Sequence, residues 1–301
     1  MPSPRQTVSF LIRRFREAGI RPNTRHGQNF LVDLNLVQLL AQSADVGPED
    51  VVLEVGTGTG SLTALLAERA AAVVTVEIDS RLHQLAAEEL IDFDNVTMLH
   101  QDALKNKNRF HPRLLETVRE KLDEQPGRRL KLAANLPYNV ATPVLSNMLS
   151  TDVVPVSMTV TIQKEMADRI TARPRTKDYS ALSIWIQAQC DTEIIRIMPP
   201  TVFWPRPKVH SAIIQVVLRE EKRNAIPDLA FFHSFVRSMF FHRRKFLRSE
   251  LISAFKNEFD KTAVDEILAE RGLAGNSRAE ELDVDAMLEL CEACRMRLGG
   301  S

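Results

Sequence analysis

The sequence is poor in the residues that staple a chain together or keep it unfolded. Three cysteines in 301 residues cannot build a disulfide framework. Eleven glycines and 15 prolines are too few for a collagen-like or low-complexity chain. No apolar run approaches the roughly 18 residues needed to span a bilayer. Residues 1–22 lack the ordered basic region, apolar core and small-residue cleavage site of a secretory signal. These absences predict a cytoplasmic globular protein with no membrane association. The seven histidines show no HExxH or other ligand spacing, so no metal is expected. No internal repeat is found. Net charge is missing too: 39 Lys and Arg balance 39 Asp and Glu. That sum alone argues against a protein that coats nucleic acid.

The distribution of charge argues the other way. Arg5, Arg13, Arg14, Arg16, Arg21 and Arg25 precede residue 30 with Glu17 as the single acid. Residues 233–249 carry Arg237, Arg243, Arg244, Lys245 and Arg248 without an acid, and residues 169–177 carry Arg169, Arg173, Arg175 and Lys177. An acidic stretch over 257–292, eleven acids against three bases, offsets them. Clustered cations are the footprint of phosphate binding whatever the total. Any one run alone is better read as a solvated helix face, and it is the three together that point to phosphate.

Along the chain, short apolar runs alternate with helical spacing. VVLEV (51–55), VVTVEI (73–78), VTML (96–99), LKLAAN (130–135), MTVTI (158–162), TEIIRIM (192–198) and SAIIQVVL (211–218) read as strands. Continuous apolar strands separated by helices imply a mostly parallel sheet covered on both faces, a doubly wound Rossmann-like α/β domain. After about residue 220 only helical patterns remain, at 228–240, 242–256, 262–271 and 282–296. The expected organisation is an α/β domain over 1–222 and a small all-helical domain over 223–301. EEKRNAIPD reads as a linker, and the charged connection 105–129 as surface elaboration.

Three strand ends carry a set of candidate ligand groups. Glu54-Val-Gly56-Thr-Gly58-Thr-Gly60 follows the first strand, where glycines let backbone approach a ligand. It is neither the dinucleotide fingerprint, which needs a third small residue where Ser61 stands, nor a phosphate loop. Glu77 ends the second strand about 20 residues on, where a carboxylate can accept both ribose hydroxyls. Asp102 follows the third strand, where an ionised carboxylate can accept from an exocyclic amine. Either acid alone reads as a surface residue. In order, they fit a nucleoside without phosphates, S-adenosylmethionine better than NAD. Asn135-Leu136-Pro137-Tyr138 follows the fourth strand. It can be a capped strand-to-helix turn. It can equally place two acceptors, the Asn135 side-chain oxygen and the Leu136 carbonyl, on the two N–H bonds of an aromatic amine, freeing its lone pair, with Tyr138 stacked on the base. Cys291 and Cys294 read as two positions on one helix face, since no second pair accompanies them.

These motifs make the chain similar to the KsgA family of small-subunit ribosomal RNA adenine dimethyltransferases. The resemblance runs from about Arg25 to Leu290. It is carried by GQNFL (27–31), EVGTGTGSLT (54–63), VEID (76–79), QDA (101–103), NLPYN (135–139), QKEMADR (163–169), YSALS (179–183), FWPRPKVHS (203–211), FFHRRKFLR (240–248) and RAE (278–280). It implies that S-adenosylmethionine is bound by Asn29, the Leu31 backbone, Gly56 at its methionine end, Glu77 at the ribose, Asp102 at the adenine, and Asn135. It implies that Asn135, Pro137 and Tyr138 form the target-amine site and that Phe203 stacks on the other face of the target base. Arg243, Arg244, Lys245, Arg248 and Lys208 are the expected RNA contacts. The implied substrate is a pair of adjacent adenosines in a hairpin loop near the 3′ end of small-subunit RNA, each dimethylated at N6. The implied setting is a monomer acting on a pre-ribosomal 30S particle late in its assembly. His210 stands where relatives often carry Asp, and Thr57 where they often carry Pro. A methyltransferase of large-subunit RNA and a non-catalytic assembly factor of the same fold are the alternatives. The form of the 203–211 loop and the Arg-Arg-Lys run speak against the first, and the intact 135–138 motif against the second.

Overall fold

The computed structural model describes residues 8–22, 27–242 and 245–299, without the side chain of Phe10. Its strands are β1 (Phe30–Leu31), β2 (Asp50–Val55), β3 (Ala72–Glu77), β4 (Val96–His100), β5 (Leu104–Asn106), β6 (Arg109–Phe110), β7 (Arg129–Asn135), β8 (Ser157–Gln163), β9 (Cys190–Met198), β10 (Phe203–Trp204) and β11 (Ser211–Leu218). Its helices are α1 (Val8–Glu17), α2 (Leu34–Ser43), α3 (Ser61–Ala67), α4 (Ser80–Glu89), α5 (Pro112–Asp123), α6 (Ala141–Met148), α7 (Lys164–Ile170), α8 (Ala181–Gln187), α9 (Glu220–Asn224), α10 (Leu229–Met239), α11 (Leu247–Ala254), α12 (Lys261–Glu270) and α13 (Val284–Gly299). Among the described residues no helix is long and apolar enough to cross a membrane.

The chain divides into two compact units: residues up to 167 with 193–217, and residues 168–192 with 218 onward. In the first, seven strands run in the order β4-β3-β2-β7-β8-β11-β9. Neighbours from β4 through β8 are parallel, and β11 is antiparallel to β8. β2 and β3 are buried at every residue, which is why their apolar runs do not alternate. From β2 the chain winds outward to β3 and β4, then returns to β7 on the other side. The β2–β7 boundary is therefore the switch point at which doubly wound sheets open a crevice at their carboxyl ends. Helix starts are fixed by local chemistry: Asp33 caps α2 through the Asn35 N–H, and Asp79 caps α4 through the N–H groups of Arg81 and Leu82.

The opposite end of the sheet is held by charge. Asp50, fully buried, lies 3.0 Å from Lys131 Nζ and 3.0 Å from an Arg129 guanidinium nitrogen, and accepts the Gly47 N–H at 2.8 Å.

Three expectations are corrected here. Residues 105–129 are more than surface elaboration. They hold the β5–β6 hairpin and α5, which buries Leu114, Thr117 and Val118 and packs on β2 and β3. The supposed linker after β11 contains the helix α9, whose flank ties Arg219 and Lys222 to Asp191 at 2.6 Å each. Residues 168–192, expected in the first domain, belong to the second unit, because α8 packs against α10 and α13.

Among the described residues the second unit is helical apart from the start of β9 and the last residue of β11. Its core gathers Phe232, Phe235, Val236 and Met239 of α10 with Leu251, Val264, Ile267 and Leu290. Ser180 and Ser183 form a reciprocal cap at the start of α8. Cys291 and Cys294 lie buried on α13 as free thiols.

Candidate active site

A cavity of about 280 Å³ opens at the carboxyl ends of β2, β3, β4 and β7. Asn29, Leu31, Gly56, Glu77, Asp102, Asn135 and Pro137 all line it, so strand ends distant in sequence converge as the motifs require. Among the described residues no Lys or Arg lines it, whereas Glu54, Glu77 and Asp102 do. The wall offers no cationic side chain to a phosphate, and it offers the carboxylates of Glu77 and Asp102 to a cation.

Each carboxyl is held differently. Glu77 is buried, and its two oxygens accept the N–H groups of Gly58 and Asp79 at 3.0 Å. Burial pushes its carboxyl above the ordinary value, and backbone N–H bonds from Asp79, Gly58 and Ile78 oppose the rise. Asp102 is exposed and accepts the Leu104 N–H at 2.9 Å. Beside it, Gln101 Nε2 is buried with no hydrogen-bond partner among the described residues. Glu54 is 1% exposed, and its Oε2 accepts the hydroxyls of Thr63 at 2.6 Å and Thr75 at 2.7 Å. The proton of Thr75 being used, Thr57 donates to Thr75 across 2.7 Å. Burial lifts Glu54 to about 8, so it is protonated through most of the neutral range.

The residues after β7 are braced from two sides. Asn135 Nδ2 donates to the Asn29 carbonyl at 2.9 Å. A carbonyl only accepts, so this bond fixes which end of the amide is nitrogen and leaves Oδ1 as the acceptor. The Tyr138 hydroxyl shares a 2.5 Å hydrogen bond with Ser211 Oγ at the start of β11. Burial pushes the phenol above its ordinary value, with the Ser211 bond opposing, so the ring stays neutral. Two glycines set the approach of the neighbouring loops. Gly56 has φ +89°, and a Cβ there would meet Pro137 Cδ and Cγ at 3.3 Å. Gly27 has φ +67°, and a Cβ would lie 2.7 Å from Asn139 Oδ1 and 2.9 Å from the Tyr138 nitrogen. A side chain at either position would be strained at that φ and would press on the turn opposite.

A family model for ribosomal RNA adenine dimethylases matches residues 19–294. The chain belongs to the ribosomal RNA adenine dimethylase family. It is 40% identical over 270 residues to the ribosomal RNA small subunit methyltransferase A of Streptococcus gordonii, covering 89% of this chain and 90% of that one. It is 41% identical over 276 residues to the protein of the same name from Lactiplantibacillus plantarum, covering 91% and 90%. Among solved structures, a dimethyladenosine transferase from Plasmodium falciparum shares the fold with a TM-score of 0.72 at 22% identity, over 87% of this chain and 96% of that one. The 23S rRNA methyltransferase ErmE shares it with a TM-score of 0.62 at 24% identity, over 88% and 98%.

Not every residue expected at a dimethylase site is where that expectation put it. Phe203 does not line the cavity. It is 3% exposed, inside a core cluster with Leu31, Val52, Ala133 and Ile213. Its ring has no open face here on which a base can stack. Lys208 and Lys245 are exposed. Arg248 is not a free cation, because its guanidinium grips both oxygens of Asp265 at 2.5 and 2.8 Å. Arg243 and Arg244 lie outside the described residues. Among the described residues no group of three or more His, Cys, Asp or Glu is placed to hold a metal. Sequence reasoning named neither Glu54 nor Ser211 as site residues. Each lay inside a motif already quoted, so the missing signal was contact: the threonines around one and the phenol above the other.

Proposed function

We propose that the chain transfers methyl groups from S-adenosylmethionine to N6 of adenosine in small-subunit ribosomal RNA. The substrate would be two adjacent adenosines in a hairpin loop near the 3′ end of 16S RNA, each methylated twice. The work would be done in the cytoplasm by a monomer acting on a 30S precursor, late in its assembly. The family and the names of the two bacterial relatives support the reaction and the substrate class.

The residues present fit the methyl donor. Glu77 accepts the Gly58 and Asp79 N–H groups on different oxygens, and a carboxylate has lone pairs beyond these for a ribose hydroxyl. Asp102 and the unpartnered Gln101 amide suit the hydrogen-bonding edge of an adenine. Gly56 leaves room between its turn and Pro137 that a side chain would take. The acidic lining suits a cationic sulfonium. When bound, S-adenosylmethionine supplies an electrophilic methyl group.

Everything else falls to the protein. Asn135 Oδ1 and the Leu136 carbonyl accept the two N–H bonds of the target amine and draw its lone pair out of conjugation. Pro137 holds that carbonyl, and Tyr138, braced by Ser211, supports the base. The methylated nitrogen is cationic and sheds its proton to solvent, so no strong general base is needed. Positioning and electrostatics carry the rate. The observation that carries this reading is the Asn135–Asn29 bond, since it turns the amide oxygen toward the acceptor role.

The test is to incubate the protein with labelled donor and under-methylated small subunits and to map the label. Dimethyladenosine at two adjacent positions of the 3′ hairpin is expected. Label confined to large-subunit RNA, or none, overturns the assignment.

A further inference from the structure

The first unit carries a second concavity that no role above uses. It is an open groove of about 1080 Å³ between the end of α1, the start of α4 and β10. Ile78, 46% exposed, borders both the groove and the cavity.

Its charges are one-sided. Arg16 and Arg21 are exposed, and among the described residues neither meets an acid. Arg81 donates to the Gly19 carbonyl, which fixes its guanidinium at the groove without neutralising it. The one acid in the wall, Asp79, caps α4 through Oδ1, which accepts the N–H groups of Arg81 at 2.9 Å and Leu82 at 3.2 Å, and its single charge leaves the groove cationic against three arginines. Trp204 lines the groove with these cations. It is half-buried and held edge-on by Phe15, centroids 5.3 Å apart at 65°, and tilted over Phe30 at 6.5 Å and 32°. β10 pairs with β1, so the indole sits on a rigid support.

A supported indole beside an exposed isoleucine, in a groove lined by three guanidinium groups against one carboxylate, suits a ligand with a flat apolar face and anionic oxygens beside it. An unstacked nucleotide in single-stranded RNA is such a ligand: every base has a π-face, and guanidinium groups fork onto phosphates. A duplex does not present that face, because its bases are stacked. An acidic peptide lacks the ring.

We propose that this groove holds one nucleotide of the single-stranded part of the RNA substrate, outside the target site, with its base on Trp204 and its flanking phosphates on Arg16, Arg21 and Arg81. The inference rests on the adenine-N6 reading and adds a subsite to it.

The experiment uses the full chain and an unmethylated 3′-hairpin RNA with its flanking single strand. RNA affinity, its salt dependence, methyl transfer and cofactor affinity are measured for the wild type, Trp204→Leu, Trp204→Tyr and the Arg16→Ala/Arg21→Ala pair. Trp204→Leu should bind RNA about tenfold more weakly, whereas Trp204→Tyr should bind within about twofold of wild type because it keeps a stacking ring. Cofactor affinity should not change. The arginine pair should lower the slope of log K against log salt by about 1.4, for two phosphates on a single strand. RNA affinity unchanged in Trp204→Leu, or an unchanged slope in the arginine pair, overturns the subsite. So does displacement of the RNA from the groove by polyglutamate at equal charge. If Trp204→Leu loses cofactor binding, and with it its fold, the arginine slope decides alone. A wild type that methylates no RNA would remove the adenine-N6 reading itself. A methylating wild type with an indifferent Trp204→Leu removes only the groove.

Discussion

Replacing Glu54 with Gln should change how stability depends on pH. In the folded chain Glu54 is fully buried and titrates at about 8, against an ordinary 4.5. Between those values the folded state holds a proton that the unfolded state has released. Stability from this group is therefore complete below 4.5 and is lost as pH rises through 8. The slope in that window is about 1.4 kcal/mol per pH unit. Glutamine is the shape of the protonated acid, and its amide oxygen can accept the Thr63 and Thr75 hydroxyls as Oε2 does. Glu54→Gln should match the wild type near pH 5 and, with that slope accumulating, exceed it by a few kcal/mol at pH 8. Glu77 is also raised by burial, but it is present in both proteins and largely cancels in the difference. The assay is urea unfolding at pH 5, 6.5 and 8. Both proteins carry Trp185→Phe, so that Trp204 of the first unit is the only one of the two tryptophans left to report. Parallel stability curves for the two proteins would refute a protonated Glu54.

Three further outcomes follow from the same contacts. Asp50→Ala strands Lys131, 7% exposed, as an uncompensated buried cation and should cost about 3–5 kcal/mol in urea unfolding. Adding Lys131→Met should restore most of it, and a single-variant loss below about 1 kcal/mol would show that the pair is not needed. Asn135→Ala removes both an oriented acceptor and the bond to the Asn29 carbonyl. Methyl transfer should fall by about 10²–10³-fold, and cofactor affinity by less than about tenfold; turnover within tenfold of wild type would contradict the acceptor role. Gly56→Ala places a Cβ 3.3 Å from Pro137 at φ +89°. A shift of the Pro137 turn by part of an ångström should lower turnover by about tenfold or more, and unchanged single-turnover rates would uncouple the two loops.

The sheet was legible because its strands are buried on both faces. An apolar run such as 51–55 has no other stable use, and β2 duly spans Asp50–Val55. The cavity was legible for a related reason: in a doubly wound sheet, whatever stands just past a strand lies at one end of the fold. Hence Gly56, Glu77, Asp102 and Asn135 meet although up to 79 positions separate them. What stayed hidden depends on contacts without a period. The partner of Arg248 is an aspartate on another helix, and nothing in a run of like charges reveals it. The 105–129 stretch looked like surface because its charges outnumber its apolar residues, yet Leu114 and Val118, one turn apart, are enough to seat α5 on the sheet.

The two-residue pairing of β1 with β10 shows where motif reasoning stops. It is too short to leave a pattern, but its register decides the fate of two aromatics. Leu31 faces Phe203 and Phe30 faces Trp204. Neighbours along a strand point to opposite sides, so one of these pairs must enter the core when the other does not. Leu31 and Phe203 go inward, at 8% and 3% exposure. Phe30 and Trp204 turn to the other side, where Trp204 lines the arginine groove. A slip of one residue would exchange them, giving Phe203 an open face and burying the indole. The motif names which aromatic residues are present, while the register selects the one that stays out of the core. In this chain the β10 aromatic outside that core cluster is Trp204, the one the proposed subsite uses.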